Sequence, residues 1–366
     1  MPTPRAAPTL DELRRYAVSR TLFKPVSLFK AIDRLGFVQA DPIRAPARAQ
    51  DLILRHRVTG YRAGDLERRY ARLAIEEDAL VNYGFLPRTT LALLHPRVAE
   101  RVWTPATKRK ANDVLAFIRD RGPTHPRLVE EHFAHGRTTN AWGGSSNATT
   151  HLLDGMHYRG LLRIARRDNG TRIYEAVEHP PSDTGKAARA ERAAALIALV
   201  VRKYAPLPAS SFTYLVYLLG YGAPHLATES RAAMAAAKES LASTRIDGTT
   251  WYWPADENPR STRHAPDVQL RLLAPFDPVV WDRRRFKLLW HWTYRFEAYT
   301  PAPKRTLGYY ALPMLWGDRI IGWANAAVRE GALTIACGFP GKPVRDAGFK
   351  RAFEAERARM TAFLGL

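Results

Sequence analysis

Four consecutive segments decide the fold: ANDVLAFIRDRGP (111–123), THPRLVEEHF (124–133), ATTHLLDGMHYRG (148–160) and LLRIARRDNGTRIYEAVE (161–178). The first three carry apolar residues at helical spacing; Gly122-Pro123 ends the first helix and Thr124 caps the second. The fourth alternates around Asn169-Gly170, the strongest short signal for a β-hairpin. Three helices followed by a hairpin predict a winged helix-turn-helix domain.

The same order recurs further along the chain. Three helical patterns, AARAERAAALIALVVRKYA (187–205), SSFTYLVYLLG (210–220) and ESRAAMAAAKESLAS (229–243), precede a predicted hairpin, TRIDGTTWYWP (244–254), that turns at Asp247-Gly248. A second winged domain is therefore expected in tandem with the first.

The N-terminal region predicts a divergent member of the same group. Residues 10–35 indicate two helices, FVQADPI (37–43) indicates a short strand, and ARAQDLILRHRV (47–58) indicates a basic helix. Helix–helix–strand–helix is compatible with a modified winged-helix domain.

Beyond Arg263 the composition changes to strands rich in Trp, Tyr and Pro. RFEAYTP (295–301), GYYALPMLW (308–316) and RIIGWANAAV (319–328) alternate like strands, and GFKRAFEAERARMTAFLG (348–365) predicts a final amphipathic helix. We expect five aromatic side chains to fill the core of this region rather than stack on bases: Trp290, Trp292, Tyr294, Tyr309 and Tyr310.

These patterns predict an α+β fold with tandem winged helix-turn-helix domains followed by a β-rich C-terminal domain. The expected boundaries are 8–100 for the divergent winged-helix domain, 101–182 and 187–262 for the next two, and 266–366 for the β-rich domain. A length of 366 residues accommodates this number of domains.

Charge is the strongest bulk signal. Lys and Arg number 56 against 35 Asp and Glu, which gives a formal net charge of +21, and such a field attracts polyanions. Nucleic acid is thus the expected partner. The longest apolar run, Ala193–Val201, is too short to span a membrane, and the first residues carry no apolar signal-peptide core. We expect a cytoplasmic, nucleoid-associated monomer.

Metal and cofactor chemistry is not expected. Cys337 is the single cysteine, which excludes disulfides and Cys-ligated clusters. His132 and His135 are three residues apart, but the sequence offers no further ligands at suitable spacing.

Gln39 and Asp41 are the candidate chemical groups. Residues i and i+2 of a strand share one face, so an amide and a carboxylate would project together. A carboxylate activates water or stabilises a cationic sugar, and an amide orients water. The alternative is structural, because Asp41-Pro42 is also a common turn and Gln39 can face solvent.

Two stretches carry a family resemblance. LGFVQADPIRAPARAQDLILRHRV (35–58) resembles the signature of the AlkZ/YcaQ family of bacterial DNA glycosylases, and residues 272–325, beginning LLAPFDPVVWDRRR, resemble its closing segment. The resemblance implies winged helices that bind DNA and a catalytic Gln-x-Gln or Gln-x-Asp motif, here Gln39-Ala40-Asp41. The Asp version belongs to the YcaQ-like branch, which acts on N7-alkylated purines and unhooks interstrand crosslinks, without lyase activity.

One segment departs from that family. Many members carry an aromatic-rich stretch before the residues corresponding to Phe85-Leu86-Pro87, whereas this chain has Glu76-Glu77-Asp78. We expect the three acidic residues to form a solvated helix start, since carboxylates favour helix N-termini. The alternative is a second polar wall near the site, which would alter substrate preference.

Candidate DNA contacts fall into groups of basic residues. Spacings of four and seven predict that Arg44, Arg48 and Arg55 line one helix face beside Arg57. The remaining candidates border the hairpin of the second domain or adjoin aromatic residues in the C-terminal region: Arg166, Arg167, Arg172, Arg283 and Arg284. His151, His157 and Arg159 are possible groove contacts. The alternative is a solvated helix face for Arg44, Arg48 and Arg55, and ion pairing with Asp277 or Asp282 for Arg283 and Arg284.

Three functions compete on this evidence. The first is a monofunctional DNA glycosylase acting on double-stranded DNA with alkylated or crosslinked bases. The second is a transcription regulator without catalysis, although no heptad pattern for dimerisation is present. The third is a metal-dependent nuclease, for which Glu76-Glu77-Asp78 is the only tight acidic cluster.

Overall fold

The computed structural model describes residues 7–99, 101–134, 136–139, 145–179 and 183–366. The chain is α+β and forms two compact units. The first unit contains the chain up to Leu66 together with Ile197–Leu215 and Met234–Leu366, and the second contains Glu67–Leu196 and Val216–Ala233. The division into four contiguous domains stays a prediction. His135 and part of the 136–147 connection lie outside the described residues.

The first unit begins with two helices, α1 (Leu10–Thr21) and α2 (Leu28–Leu35). A capping box between Thr9 and Glu12 starts α1. α2 ends at Gly36, whose φ of +68° favours glycine and whose missing side chain leaves room for Leu199. The two helices predicted over 10–35 are confirmed.

The following segment differs from its prediction. β1 covers only Val38–Gln39, and α3 covers only Ala49–Leu54, with all six of its residues buried. Pro42 limits the strand, because proline lacks the N–H that a strand ladder needs. The predicted shared helix face is wrong, since Arg44 precedes α3, Arg48 is its N-cap and Arg55 follows its last residue.

The second unit opens with a β-hairpin. After α4 (Asp65–Arg69) and a 3-10 turn at Tyr70–Arg72, β2 (Ile75–Ala79) pairs antiparallel with β3 (Tyr83–Pro87), and α5 (Arg88–Leu94) follows. Every residue of β2 is buried. The solvated helix start expected at Glu76-Glu77-Asp78 is therefore wrong.

Residues 111–133 and 148–178 form the three helices and the hairpin that the sequence predicts. They comprise α6 (Pro105–Arg121), α7 (Pro126–Phe133), β4 (Arg137–Thr139), β5 (Ser145–Asn147), α8 (Ala148–Tyr158), β6 (Leu162–Asp168) and β7 (Thr171–Ala176). β4 pairs with β5, and β6 pairs with β7 across the Asn169-Gly170 turn. Val114, Ile118 and Leu153 are buried where α6 and α8 pack on the β6–β7 hairpin.

The repeat of this order is also present. It comprises α9 (Lys186–Tyr204), β8 (Leu207–Pro208), α10 (Ala209–Leu218), α11 (Ala227–Ser240), β9 (Ala242–Ile246) and β10 (Thr249–Trp253), with 3-10 turns at Leu219–Tyr221 and Pro224–Leu226. β10 lies between β8 and β9 and pairs antiparallel with both. The hairpin expected at Asp247-Gly248 is confirmed.

The C-terminal part of the first unit is a four-stranded antiparallel sheet of order β11–β12–β13–β14. Its elements are β11 (Leu270–Leu272), α12 (Arg283–Trp290), β12 (Leu312–Trp316), β13 (Arg319–Arg329), β14 (Ala332–Gly338) and α13 (Ala347–Leu364), with 3-10 turns at Thr262–His264 and Ala302–Lys304. The strand predicted at 295–301 is wrong, because these residues form turns and coil. Glu297 instead accepts hydrogen bonds from the backbone N–H groups of Thr306–Gly308.

Most of the aromatic core of this region is as expected. Tyr294 and Tyr310 are buried, and Trp290 and Trp292 pack at the edge of a core cluster that includes Phe286. Tyr309 is 44% exposed, so the prediction that it fills the core is wrong. Among the helices of the described ranges, none has the length and apolar composition to cross a membrane.

Candidate active site

Gln39 ends β1 at the wall of a narrow crevice in the first unit. The crevice is lined by Phe37, Val38, Gln39, Ile53, Lys203, Tyr204, Phe276, Pro278 and Trp281. Gln39 is 6% exposed, yet its Oε1 accepts no hydrogen bond from any described residue. A buried acceptor without a donor costs about 1–3 kcal/mol, so this amide is a group that a water or a substrate would satisfy.

Asp41 follows β1 rather than lying on it. Its Oδ1 accepts a hydrogen bond from the Ile43 N–H at 3.0 Å, and its own N–H donates to Gln50 Oε1 at 3.3 Å. These two local hydrogen bonds, rather than strand pairing, hold Asp41 in place. Burial raises the pKa of Asp41, and the Ile43 hydrogen bond offsets part of that rise.

Lys203 contacts the backbone just before the Gln39–Asp41 segment. Its ammonium donates to the carbonyls of Leu35, at 3.3 Å, and Phe37. Burial, together with the nearby Arg57 charge, lowers the pKa of Lys203 to about 7. Lys203 thus binds the backbone that leads from α2 into β1, and so helps to set the position of Gln39.

Arg57, predicted to contact DNA, is fully buried instead. Its guanidinium forms a bidentate ion pair with Asp277 at 2.8 and 3.0 Å and donates to the carbonyls of Thr21 and Ile53. Both side chains of the pair have no exposed surface. Arg57 therefore has no access to phosphate.

Arg55 has a similar structural contact, whereas Arg44 does not. The Arg55 guanidinium pairs with the buried Glu356 at 2.8 Å and lies 5.3 Å from the centre of the Phe363 ring. Arg48 is half-buried at the start of α3, and Arg44 is exposed. Of the four arginines around the Gln39–Asp41 motif, Arg44 is the one best placed to meet a phosphate.

A basic and aromatic surface extends from the crevice along α12 and α10. The half-exposed Trp281 stacks on Tyr214 at 6.5 Å, and the exposed Arg284 lies 5.1 Å from the centre of the Tyr214 ring. Arg283 is half-buried, donates to the carbonyls of Pro275 and Val280, and lies over the Tyr294 ring. Arg284 therefore stays available to DNA, whereas Arg283 braces the loop before α12.

Sequence comparison adds to this geometry. The family described as DNA glycosylase AlkZ-like matches residues 32–363, nearly the whole chain and both the Gln39–Asp41 segment and the C-terminal sheet. The chain belongs to the AlkZ-like DNA glycosylase family. No solved structure matches it. Family membership establishes a DNA glycosylase class that acts on DNA, and the geometry above must be interpreted within that class.

In this AlkZ-like glycosylase the acidic segment of the second unit forms buried ion pairs. Glu76 accepts from Arg163 and Glu77 from Arg167, both within 3.2 Å, while Asp78 accepts from Arg97 and His95. These pairs neutralise the carboxylates and hold β2 against β6. Arg167, predicted to contact DNA, therefore has a largely structural role.

The other two hairpin arginines differ in their exposure. Arg166 is exposed and pairs with Asp168 at 3.1 Å within β6. Arg172 pairs with Asp154 at 2.8 Å and lies 4.4 Å from the centre of the Tyr83 ring. An exposed pair of this kind is weak, so the contact with Asp168 restrains Arg166 little.

A groove of about 820 Å³ in the second unit was not found from the sequence of this glycosylase. Its lining includes Arg101, Trp103, Lys110, His151, Asp154, Tyr158, Arg159, Tyr217 and Tyr221. Arg159 stacks 3.8 Å from the Trp103 ring, and Trp103 fits against α8 because Gly155 has no side chain. Of the possible groove contacts, His151 and Arg159 line this groove, whereas His157 is buried against the Glu77 carbonyl.

Sequence reasoning also missed the buried amine of Lys203 and the environment of the Tyr310 hydroxyl. Lys203 lies in the apolar helix 187–205, where a single lysine among buried positions was the available signal. Tyr310 was assigned to the core, and its hydroxyl is buried with no partner in the described part of the chain. Neither feature follows from residue spacing alone.

Proposed function

We propose that this protein is a monofunctional DNA glycosylase that hydrolyses the N-glycosidic bond of N7-alkylated purines, with Asp41 and Gln39 at the reacting sugar. The observation that carries the proposal is the placement of two perturbed polar groups in one short segment of an AlkZ-like chain. Among the described residues no donor reaches Gln39 Oε1, and burial raises the pKa of Asp41. Perturbed, unsatisfied groups of this kind are typical of functional sites.

The chemistry requires little more than these two side chains. An N7-alkylated guanine is cationic and leaves readily, so the enzyme must mainly stabilise an oxocarbenium-like sugar and deliver water. The Asp41 carboxylate stabilises that cation or accepts the proton of the attacking water, while Gln39 orients the water. The water oxygen bonds to the sugar C1′ as the glycosidic bond breaks. The electron pair of the broken glycosidic bond stays with the base.

The surroundings of the two groups support a division of their roles. Asp41 lies at the end of the segment and does not line the crevice, whereas Gln39 lies in the crevice, which has no room for a water molecule in this arrangement. We propose that Asp41 faces the sugar and that the crevice widens when DNA binds, which admits water to Gln39.

Hydrolysis without lyase chemistry is the proposed outcome. A lyase step needs an amine that attacks the sugar, and Lys203 is the amine that lines the crevice. Its hydrogen bonds to the Leu35 and Phe37 carbonyls support a structural role for it. Borohydride should therefore trap no covalent enzyme–DNA product.

Winged-helix DNA binding is proposed for two regions of the chain. The shared order of three helices and a hairpin in α6–β7 and in α9–β10 supports this assignment. We further propose that the protein acts as a monomer on double-stranded DNA in the cytoplasm and unhooks interstrand crosslinks. The exposed Arg44, Arg166 and Arg284 and the half-buried Arg48 are the proposed DNA contacts.

An excision assay tests the proposal. Purified protein is incubated, in chelator, with a duplex that carries one N7-methylguanine or a nitrogen-mustard crosslink, and alkali then reveals abasic sites. Strand breaks that need alkali are the expected result. Asp41→Asn and Gln39→Ala should lose excision and keep DNA affinity in a gel shift.

Matched controls are available in the same unit. The exposed residues Asp33 and Gln269 provide Asp33→Asn and Gln269→Ala, both expected to retain wild-type excision. Salt-sensitive binding without any product would favour a regulator, and magnesium-dependent strand cleavage would favour a nuclease. Full excision by both Asp41→Asn and Gln39→Ala would remove these residues from the chemistry.

A further inference from the structure

Tyr310 has a hydroxyl that the fold leaves unused. The side chain is 2% exposed, and Oη has no hydrogen-bond partner within the described ranges. Leaving a buried hydroxyl unpaired costs about 1–3 kcal/mol. A phenylalanine at this position would avoid that cost, so the hydroxyl calls for an explanation outside the resting fold.

The surroundings of Tyr310 lead to the Gln39 crevice. The Tyr310 ring meets Phe296 edge-to-face at 5.4 Å, and Phe296 meets Phe276 edge-to-face at 5.1 Å. Phe276 lines the crevice together with Gln39. A continuous row of packed rings therefore joins Tyr310 to the candidate site.

Electrostatics also connects Tyr310 with Asp41. Burial raises the pKa of Tyr310, and the negative charge of Asp41 raises it further. The phenol is thus protonated at neutral pH and acts as a donor within the electrostatic range of the carboxylate.

The unsatisfied groups complement one another chemically. Among the described residues, Gln39 Oε1 is an acceptor without a donor and Tyr310 Oη is a donor without an acceptor. Asp41 is an acceptor with one oxygen hydrogen-bonded to the Ile43 N–H. Once the crevice has widened to admit it, one water that donates its two hydrogens to Gln39 and Asp41 and accepts from Tyr310 would satisfy all three. Its second lone pair is then free to attack the sugar.

We propose that Tyr310 is a positioning residue of the active site, whose hydroxyl donates a hydrogen bond to the water held by Gln39 and Asp41. This inference rests on the proposed glycosylase function. In the hydrolytic step the water oxygen bonds to C1′, the bond from C1′ to the alkylated purine breaks, and the water proton passes to Asp41. Tyr310 keeps its proton throughout and acts only through the orientation of the water.

The test compares two tyrosines of the same region. Tyr310→Phe removes an unpartnered hydroxyl, whereas Tyr294→Phe removes a hydroxyl that donates to the Ala311 carbonyl at 2.7 Å. The excision rate constant is measured in single-turnover reactions at saturating enzyme on an N7-methylguanine duplex. DNA affinity and melting temperature are measured in parallel.

Tyr310→Phe should slow excision by about 10- to 100-fold, the effect of one lost hydrogen bond to a reacting group. DNA affinity should not change, and the melting temperature should stay equal or rise. Tyr294→Phe should show the opposite pattern, with a lower melting temperature and an unchanged rate per folded molecule.

The outcomes separate this inference from the function on which it rests. If Tyr310→Phe excises at the wild-type rate while Asp41→Asn does not, the inference is wrong and the function stands. If Tyr310→Phe loses as much stability as Tyr294→Phe, the hydroxyl has a structural partner and the inference is also wrong. If the wild-type protein excises no alkylated base, both proposals are wrong.

Discussion

Replacement of Arg57 by methionine distinguishes the structural role of this residue from its predicted role in DNA binding. The guanidinium makes two hydrogen bonds to Asp277 and two to backbone carbonyls, all within 3.0 Å. In Arg57→Met the Asp277 carboxylate stays buried, and among the described contacts it keeps only the hydrogen bond from the Val279 N–H at 3.0 Å.

The expected loss is large because a single buried charge remains. Removing one member of a buried ion pair costs about 3–5 kcal/mol. For a unit of this size, about 2–4 °C per kcal/mol corresponds to a melting temperature lower by roughly 6–20 °C. The double variant Arg57→Met/Asp277→Leu removes both charges and should recover most of that loss, since apolar replacement of a whole buried pair is often neutral.

Thermal melts followed by circular dichroism measure the loss, and fluorescence anisotropy at low temperature measures DNA affinity for the folded protein. We expect Arg57→Met to melt earlier and to bind DNA as tightly as the wild type. Arg44→Met, at an exposed position, should melt normally and bind DNA more weakly. If Arg57→Met melts within about 1 °C of the wild type but loses DNA affinity at low salt, the sequence prediction was right and the burial argument is wrong.

Three further measurements follow from the charges around the site. Asp41→Asn should be more stable than the wild type at pH 7, because burial raises the pKa of Asp41 above 3.8 and its ionisation therefore opposes folding. Denaturant titrations should show that the difference in unfolding free energy between the two proteins disappears below about pH 4. Equal stability at pH 7 would contradict this prediction. Between pH 7 and 10 the unfolding free energy of the wild type should rise relative to that of Lys203→Met. The reason is that the pKa of Lys203 is about 7 in the folded protein against 10.5 for an ordinary lysine, so the unfolded chain binds more protons in this range. A difference in unfolding free energy that does not change with pH would count against the buried amine. Arg284→Ala should weaken DNA binding and reduce the salt slope of log affinity by about one, whereas an unchanged slope would exclude a phosphate contact.

The elements that the sequence predicted correctly are those with strong local signals. Gly122-Pro123, Asn169-Gly170 and Asp247-Gly248 mark helix ends and hairpin turns by their own backbone preferences, and all three punctuate the structure as expected. Local propensity therefore suffices for the two helix–hairpin series. It fails at 37–43, where alternation predicted a strand and Pro42 allows only two residues of ladder.

The site was harder to predict because its supporting contacts are distant in sequence. Gln39 and Asp41 are identifiable from the motif, but the partner of Arg57 is 220 residues away and the carbonyls bound by Lys203 are more than 160 residues away. Arginines beside the motif were thus predicted to contact DNA, although one of them, Arg57, is buried in the core. The prediction for Glu76-Glu77-Asp78 was wrong for the same reason, since the arginines that neutralise Glu76 and Glu77 lie on a later strand.

The basic composition has two physical roles that a net charge cannot separate. Arg55, Arg57 and Arg167 pair with buried carboxylates and stabilise the scaffold, so they contribute little to the field that a DNA strand meets. Exposed cations such as Arg44 and Arg284 supply that field. Around the Gln39 crevice, the Arg57–Asp277 pair and Lys203 hold the backbone, whereas Gln39 and Tyr310 keep polar atoms without partners among the described residues. Rigid support behind the segment is what a hydrolytic site needs, because only the crevice wall must then move to admit the catalytic water to these polar atoms.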